Sequence, residues 1–241
     1  MGLDISLVFF FILGVVMGSF YNVVIYRVPQ GKSFAYPSSS CPSCGRRLRP
    51  FELIPVISYV VQRGRCKGCK CKISWQYPVV ELLTGLGFAY LGWHAATWGQ
   101  LATELTLFSL LLVLGFIDGR HMLLPDLFTI PGVILGFLFA VMGWSIPWLD
   151  SLLGLALGCV VALVMSLIFR GGMGMGDMKL LAMIGSFLGP WHTLLTLFWA
   201  SVLGSVFGIV FLYVTKRDHK TPIPFGPFLA LGAFIIMLWL G

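Results

Sequence analysis

Apolar stretches of membrane-spanning length recur along nearly the whole chain of 241 residues. About 20 helical residues are needed to cross the roughly 30 Å of hydrocarbon in a bilayer. Such stretches occupy positions 3–25, 78–97, 101–118, 127–146, 149–169, 178–190, 191–214 and 223–240. The sixth is short and ends at Gly189-Pro190, which forms either a tight turn or a kink, so seven helices are the alternative to eight. The pattern predicts an all-α integral membrane protein with about eight transmembrane helices.

The composition excludes a soluble globular protein. Hydrophobic residues make up 58% of the chain and charged residues only 10%, which leaves too little polar surface to coat a globule. The first apolar stretch has neither a basic segment before it nor a small-residue cleavage site after it. We therefore interpret it as a retained helix rather than a signal peptide.

The basic residues indicate how the chain is oriented. Ten of the sixteen Lys and Arg residues lie between Arg27 and Lys72, and the others lie beside helix ends that the alternation of helices assigns to the same face. Because Lys and Arg accumulate in cytoplasmic loops, we expect a multi-pass protein with its N-terminus outside and residues 27–76 in the cytosol. The basic residues then face anionic lipid, so the net charge of +7 requires no nucleic acid partner.

One polar insert interrupts the apolar pattern. It divides the chain into a first transmembrane helix (1–26), a cytosolic insert (27–76) and a multi-helix membrane domain (77–241). A segment this short buries little core, so it usually needs a cross-link or a metal ion.

Two CxxC pairs in the insert, CPSCG and CKGC, predict that metal. Cys41, Cys44, Cys66 and Cys69 supply the four thiolates of a tetrahedral zinc site, which is structural because it leaves no position for a substrate. Two disulfides are the alternative, and a reducing cytosol disfavours them. Cys71 remains as a possible replacement for Cys69.

Four of the nine acidic residues lie at cytosolic helix ends: Glu81, Asp118, Asp126 and Asp177. Burying an ionised carboxylate in a membrane costs roughly 2.5–3.5 kcal/mol, so these residues are functional candidates. The alternative is an interfacial role, because acids near helix ends reach water and lipid headgroups.

Asp118 and Asp177 form the strongest candidate pair. Asp118 closes the third helix in GFIDGRHMLLPD, and Asp177 opens the sixth in GMGMGDMK, on the same side and at similar depth. Two neighbouring carboxyls share one proton, which leaves one as a base and the other as an acid. Such a pair activates a water molecule against a peptide carbonyl and protonates the departing amine.

The glycines at positions 172, 174 and 176 precede Asp177. A glycine-rich approach lets an extended peptide lie close to the backbone, so we expect Gly174 and Gly176 to bind substrate. A flexible loop between two helices is the alternative interpretation.

Seven segments carry a resemblance to a known family. They are GSFYNVVIYRVP (18–29), CPSCGRRL (41–48), IPVISYVVQRGRCKGC (54–69), ISWQYPVVELLTG (73–85), IDGRHMLLPD (117–126), GMGDMKL (174–180) and IPFGPFLALG (223–232). In this order they resemble the bacterial type IV prepilin peptidases, also called leader peptidases and N-methyltransferases. The GMGD stretch is similar to the signature of the GxGD intramembrane aspartyl proteases.

The resemblance implies the catalytic residues and the reaction. It places the two catalytic aspartates at Asp118 and Asp177, and we expect Asp126 to cap the following helix instead. It implies removal of a short basic leader from type IV prepilin or pseudopilin precursors, as in pilus assembly or type II secretion. It also implies methylation of the new N-terminus by S-adenosylmethionine, and a bacterial inner-membrane location with the active site facing the cytosol.

Two other functions fit parts of the sequence. A proton-coupled transporter would use Asp118 and Asp177 as a relay, but both lie towards one face and the helix midplanes are nearly free of polar side chains. A zinc-stapled scaffold would leave both carboxylates without a role.

Overall fold

The computed structural model of the chain describes residues 2–36, 39–168, 174–215 and 223–240. Its α-helices are α1 (Gly2–Arg27), α2 (Ile57–Val61), α3 (Gln76–His94), α4 (Trp98–His121), α5 (Asp126–Val141), α6 (Trp148–Ile168), α7 (Met175–Thr215) and α8 (Gly226–Leu240). Two short 3₁₀ turns and two isolated β-bridges complete the regular structure of these described segments. The all-helical prediction is confirmed.

Among the described residues, four helical segments are long and apolar enough to cross a membrane. They are Ile5–Gln30, Trp98–His121, Trp148–Ile168 and Met175–Val214. The apolar helices α5 and α8 are shorter. A helical protein with several membrane-length helices is therefore observed, whereas a total of about eight spans stays a prediction.

A glycine breaks the longest helix. Gly189 in α7 has φ 77° and ψ 177°, a left-handed conformation that a residue without Cβ adopts readily. Pro190 follows and begins the second segment, where its missing amide breaks no helical hydrogen bond. The break lies where the sequence predicted a turn or a kink.

The chain forms two compact units, Met1–Ala95 and Ala96–Gly241. In the first unit, α1 and α3 pack closely through glycines. A Cβ on Gly14 would lie 2.5 Å from the Thr84 carbonyl oxygen, and one on Gly18 would lie 2.7 Å from the Glu81 Cα. These units are defined by which residues pack together. The predicted boundaries near residues 27 and 77 were instead drawn where the sequence changes from apolar to polar, and they stay a prediction.

The second unit contains α4 to α8, and one face of α4 forms much of its core. Leu107, Leu111 and Leu114 recur at helical spacing on that face and are 0–2% exposed. Asp118 comes four residues after Leu114, so the same periodicity carries a carboxylate into the buried stripe. The helix continues for less than one further turn and ends at a left-handed Met122 (φ 50°).

Candidate active site and metal centre

Asp118 is buried, with 5% of its surface exposed. The backbone amide of Gly226 donates a hydrogen bond of 2.9 Å to the Asp118 Oδ2. Gly226 is the first residue of α8, where backbone amides have no partner within the helix. The start of α8 therefore holds the carboxyl group of α4 in place.

Gly226 has no room for a side chain. A Cβ at this position would lie 2.7 Å from the Asp118 Oδ2 and 2.9 Å from its Cγ. Gly226 lies in one of the segments that carry the family resemblance, IPFGPFLALG, but no residue of that segment is among the predicted site residues. The available signal was a glycine between two proline-containing pairs, PFGPF, at the start of the last apolar stretch.

Asp177 is the third residue of α7 and is partly buried. Its carboxyl group lies beside the Gly174 backbone, and Gly176, the residue before it, contacts Leu124 in the loop after α4. Asp118 and Asp177 both belong to the second unit. The ends of α4 and α7 that carry the two aspartates therefore lie in the same unit, and their action as a catalytic pair stays a prediction.

The two described glycines of the predicted substrate-binding set have different surroundings. Gly174 is exposed, and a Cβ there would lie 3.5 Å from the Asp177 Oδ2. Gly176 packs against the loop before α5, since a Cβ there would lie 3.0 Å from the Leu124 Cβ. Gly172 lies outside the described residues.

Asp126 has a different partner from the one expected. It is the first residue of α5, the N-cap position belongs to Pro125, and no side chain caps the helix. The Asp126 Oδ1 instead accepts a hydrogen bond of 2.6 Å from the Lys179 Nζ, which joins α5 to α7. The expected N-cap role of Asp126 is therefore wrong.

Glu81 stabilises a turn of the insert. It is 6% exposed, and its Oε2 accepts a hydrogen bond of 2.7 Å from the Val56 amide. Val56 has φ 58° and ψ −54°, an unfavourable conformation for a β-branched residue. A buried carboxylate that binds its amide offsets part of that strain.

The two cysteine loops of the insert have the same backbone geometry. The amide of Gly45 donates to the Cys41 carbonyl, and the amide of Lys70 donates to the Cys66 carbonyl, both at 2.9 Å. Gly45 and Lys70 both have positive φ, 69° and 59°. In this repeat, Cys41 is equivalent to Cys66, and Cys44 is equivalent to Cys69. The position of Cys71 in the second loop is occupied by Arg46 in the first.

Four cysteine sulfurs lie within 4.8 Å of one another: Cys41, Cys66, Cys69 and Cys71. This group shares three members with the predicted set and contains Cys71 in place of Cys44, which is exposed. The sulfurs of Cys41 and Cys69 are 3.8 Å apart, close to the edge of about 3.8 Å expected for a tetrahedron with Zn–S bonds of about 2.3 Å. The sulfurs of Cys69 and Cys71 are only 3.1 Å apart, too close for two ligands of one ideal zinc ion.

Hydrogen bonds favour a thiolate at Cys66. The backbone amides of Cys69 and Gly68 are the main cause that lowers the pKa of Cys66 to about 6. The Arg46 guanidinium lies beside the same loop, since a Cβ on Gly68 would lie 3.1 Å from the Arg46 Nε, and it donates to the Glu52 Oε1 at 2.8 Å. The amide donors stabilise the anionic form that binds a metal ion.

Comparison with known proteins identifies relatives of this chain. Residues 12–95 match the Bacterial Peptidase A24 N-terminal domain, and residues 105–209 match the Type IV leader peptidase family. Curated relatives bear the description prepilin leader peptidase/N-methyltransferase. The Pseudomonas aeruginosa relative is 37% identical over 95% of this chain and 88% of its own length. The Aeromonas salmonicida relative is 38% identical over 97% and 90%, respectively. The Bacillus subtilis relative is 34% identical over 95% and 92%.

No solved structure matches the chain significantly. The two family matches together cover most of the sequence, and they contain both aspartates and all the cysteines of the insert. The resemblance inferred from the sequence motifs is thus confirmed. The chain belongs to the type IV leader peptidase family and is an enzyme of that family.

Proposed function

We propose that this protein cleaves the short basic leader from type IV prepilin-like precursors with Asp118 and Asp177 as its catalytic pair. The main support is the contact between the loop after α4, at Leu124, and the start of α7, at Gly176, because the adjoining ends of α4 and α7 carry Asp118 and Asp177. The type IV leader peptidase match spans both residues, and the curated relatives are described as prepilin leader peptidases.

The catalytic step requires one proton on the pair. The ionised carboxyl takes a proton from a water molecule, whose oxygen attacks the scissile peptide carbonyl and forms a tetrahedral intermediate. The protonated carboxyl donates its proton to the amide nitrogen as the C–N bond breaks, so a carboxylic acid and an amine leave. The hydrogen bond from the Gly226 amide to the Asp118 Oδ2 is already present without substrate. Asp118 can therefore keep one orientation during the reaction.

Gly174 provides access to the pair from the exposed side. It has no side chain to separate an extended substrate from Asp177, and its amide already faces the carboxyl. Gly176 contributes in a different way, because its contact with Leu124 positions the loop beside the start of α7. Gly174 would contact the substrate, and Gly176 would support that contact.

The second proposed reaction is N-methylation of the new N-terminus. Its support is the N-methyltransferase part of the description that the relatives carry. S-Adenosylmethionine would supply the methyl group, and the amine released by cleavage would be the nucleophile. The site is proposed to face the cytosol of a bacterial inner membrane crossed about eight times, with the N-terminus outside and pilin or pseudopilin precursors as substrates.

The proposed cofactor of the insert is one structural zinc ion bound by Cys41, Cys44, Cys66 and Cys69. The two loops are equivalent in backbone geometry, which supports the use of both cysteines from each CxxC pair. The short Cys69–Cys71 distance implies that only one of these two is a ligand at a time. Zinc would join two loops that otherwise share little core.

The test uses the purified full-length protein in detergent, a pilin-like precursor, and the methyl donor in half of the reactions. Asp118→Asn and Asp177→Asn should each lower cleavage by at least about a thousandfold, because each removes an acid–base group. Asp126→Asn is the matched control, since it changes a carboxyl of the same region outside the pair, and should stay within about threefold of the unsubstituted enzyme.

Product N-termini are identified by mass. Cleavage that survives Asp118→Asn or Asp177→Asn would refute the catalytic pair. A cleaved product that gains no methyl group when the donor is present would refute the second reaction alone.

A further inference from the structure

A cavity of about 360 Å³ lies in the insert, beside the cysteine loops. It is lined by Arg46, Arg49, Phe51, Glu52, Lys67 and Gly68. Three cationic side chains face one carboxylate, which leaves a net charge of +2 on the lining. A cavity of this composition is suited to an anion.

Hydrogen bonds to Glu52 hold Arg46 and the backbone of Arg49 in place at this cavity. The Arg46 guanidinium donates a hydrogen bond of 2.8 Å to the Glu52 Oε1 and lies against the second cysteine loop, since a Cβ on Gly68 would lie 3.1 Å from the Arg46 Nε. The Arg49 amide donates to the other Glu52 oxygen at 2.9 Å, which sets the backbone at the cavity rim. Glu52 is thereby neutralised, and its hydrogen bond with Arg46 is the main cause that lowers its pKa. An incoming anion would meet a preorganised site.

An exposed apolar surface begins at the rim of the same cavity. Phe51 lines the cavity and is 79% exposed. Five more large apolar residues between positions 53 and 61 are 39–69% exposed, namely Leu53, Ile54, Ile57, Val60 and Val61. A protein segment in water rarely exposes so many apolar side chains within eleven residues, so this surface indicates an apolar partner.

The chain itself favours lipid as that partner. The insert is attached at both ends to apolar helices, α1 and α3, and α1 is one of the membrane-length helices. A bilayer is therefore present at a high effective concentration, whereas any other partner must be recruited from solution. Apolar side chains beside basic ones are the composition expected of a segment that lies in a membrane interface.

We propose that this cavity binds the phosphate of an anionic phospholipid headgroup while the apolar surface from Phe51 to Val61 enters the acyl region. Arg49 and Lys67 pair with the phosphate, and Arg46, whose charge Glu52 balances, forms part of the cavity wall. The inference rests on the membrane location in the proposed function and adds a lipid site that is separate from both reactions. It predicts that the insert lies against the bilayer rather than free in the cytosol.

The test measures lipid binding to the purified, zinc-loaded, full-length protein in detergent by native mass spectrometry. Phosphatidylglycerol should bind more tightly than phosphatidylcholine at one site. Arg49→Ala/Lys67→Ala should weaken phosphatidylglycerol binding about twenty-fivefold, from roughly fivefold for each cation removed. Arg65→Ala/Lys72→Ala is the matched control, since it removes two cations of the same insert that do not line the cavity, and should change binding less than threefold.

Three other outcomes would refute the proposed lipid site. Equal losses in the two double variants would indicate diffuse charge attraction instead of a site. Inorganic phosphate that competes as well as the lipid would indicate a site for free anions. No preference for phosphatidylglycerol in the unsubstituted protein would remove the proposal altogether, even if a double variant failed to fold.

A second measurement tests the apolar surface without removing charges. A photoreactive phenylalanine analogue at position 60 should cross-link to acyl chains in nanodiscs that contain phosphatidylglycerol, and the same analogue at position 72 should not. Cross-links from position 60 to a precursor or to the chain itself, without lipid, would refute membrane contact. Leader cleavage in detergent serves as the independent measure, so an enzyme that cleaves but ignores phosphatidylglycerol would refute only this inference.

Discussion

Gly226→Ala should impair catalysis although the substitution replaces neither aspartate. A Cβ at position 226 would lie 2.7 Å from the Asp118 Oδ2, and ordinary van der Waals contact begins at 3.4 Å, so the atoms must separate by about 0.7 Å. The carboxyl has little freedom to yield, because it is buried and bonded to the amide of the substituted residue itself. A misplacement of about 1 Å can cost about a hundredfold in rate, which corresponds to about 2.7 kcal/mol of activation free energy.

The assay is the steady-state cleavage of a pilin-like precursor by purified enzyme, with kcat and KM measured separately. We expect kcat to fall by about a hundredfold for Gly226→Ala, with little change in KM, because the substitution moves a reacting group rather than a binding surface. Gly119→Ala is the matched control on the same helix contact, since its Cβ would lie 3.4 Å from the Pro227 Cγ. A Gly226→Ala enzyme that cleaves at the normal rate, or one that loses no more activity than Gly119→Ala, would refute the role assigned to this contact.

The remaining predictions concern the insert. Metal analysis should find one zinc ion in Cys71→Ser and none in Cys44→Ser; the opposite result would put Cys71 in the site. Glu81→Gln replaces a charged acceptor by a neutral one, and hydrogen exchange in the turn that contains Val56 should rise while zinc is retained; unchanged exchange would show that the carboxylate does not hold the turn. Hydrogen bonding to its arginine partner lowers the pKa of Glu52 below 4.5, so its stabilisation is present above about pH 4.5 and is lost as the pH falls through the folded pKa. The protection of this loop, measured as the exchange rate relative to the intrinsic rate at each pH, should therefore fall on acidification of the metal-free protein but depend little on pH in Glu52→Gln.

The helical membrane architecture was largely predictable from the sequence. Apolar length and helical periodicity are properties of consecutive residues, so a helical membrane protein followed from them directly. The order of the apolar stretches also predicted that Asp118 and Asp177 lie at helix ends on the same side of the membrane. The CxxC spacing likewise indicated a metal site before any distance was known.

Other features depend on contacts between residues far apart along the chain. The bond from Gly226 to Asp118 joins residues 108 positions apart, and the Lys179–Asp126 pair joins residues 53 positions apart. Neither has a local signal, because helix packing determines which side chains meet. This is why the sequence suggested that Asp126 caps its own helix, whereas in the structure it pairs with α7.

The cysteines show the same limit within a single segment. Spacing predicted two equivalent CxxC loops, and the backbone geometry of the two loops is indeed the same. Only the folded insert brings Cys71 within 3.1 Å of Cys69 and makes it a competitor for one coordination position. Amino-acid order thus determined which kinds of groups are present and on which helices they lie. Tertiary packing decided which of them touch, because contact depends on side-chain shape and helix orientation across segments that are distant in sequence.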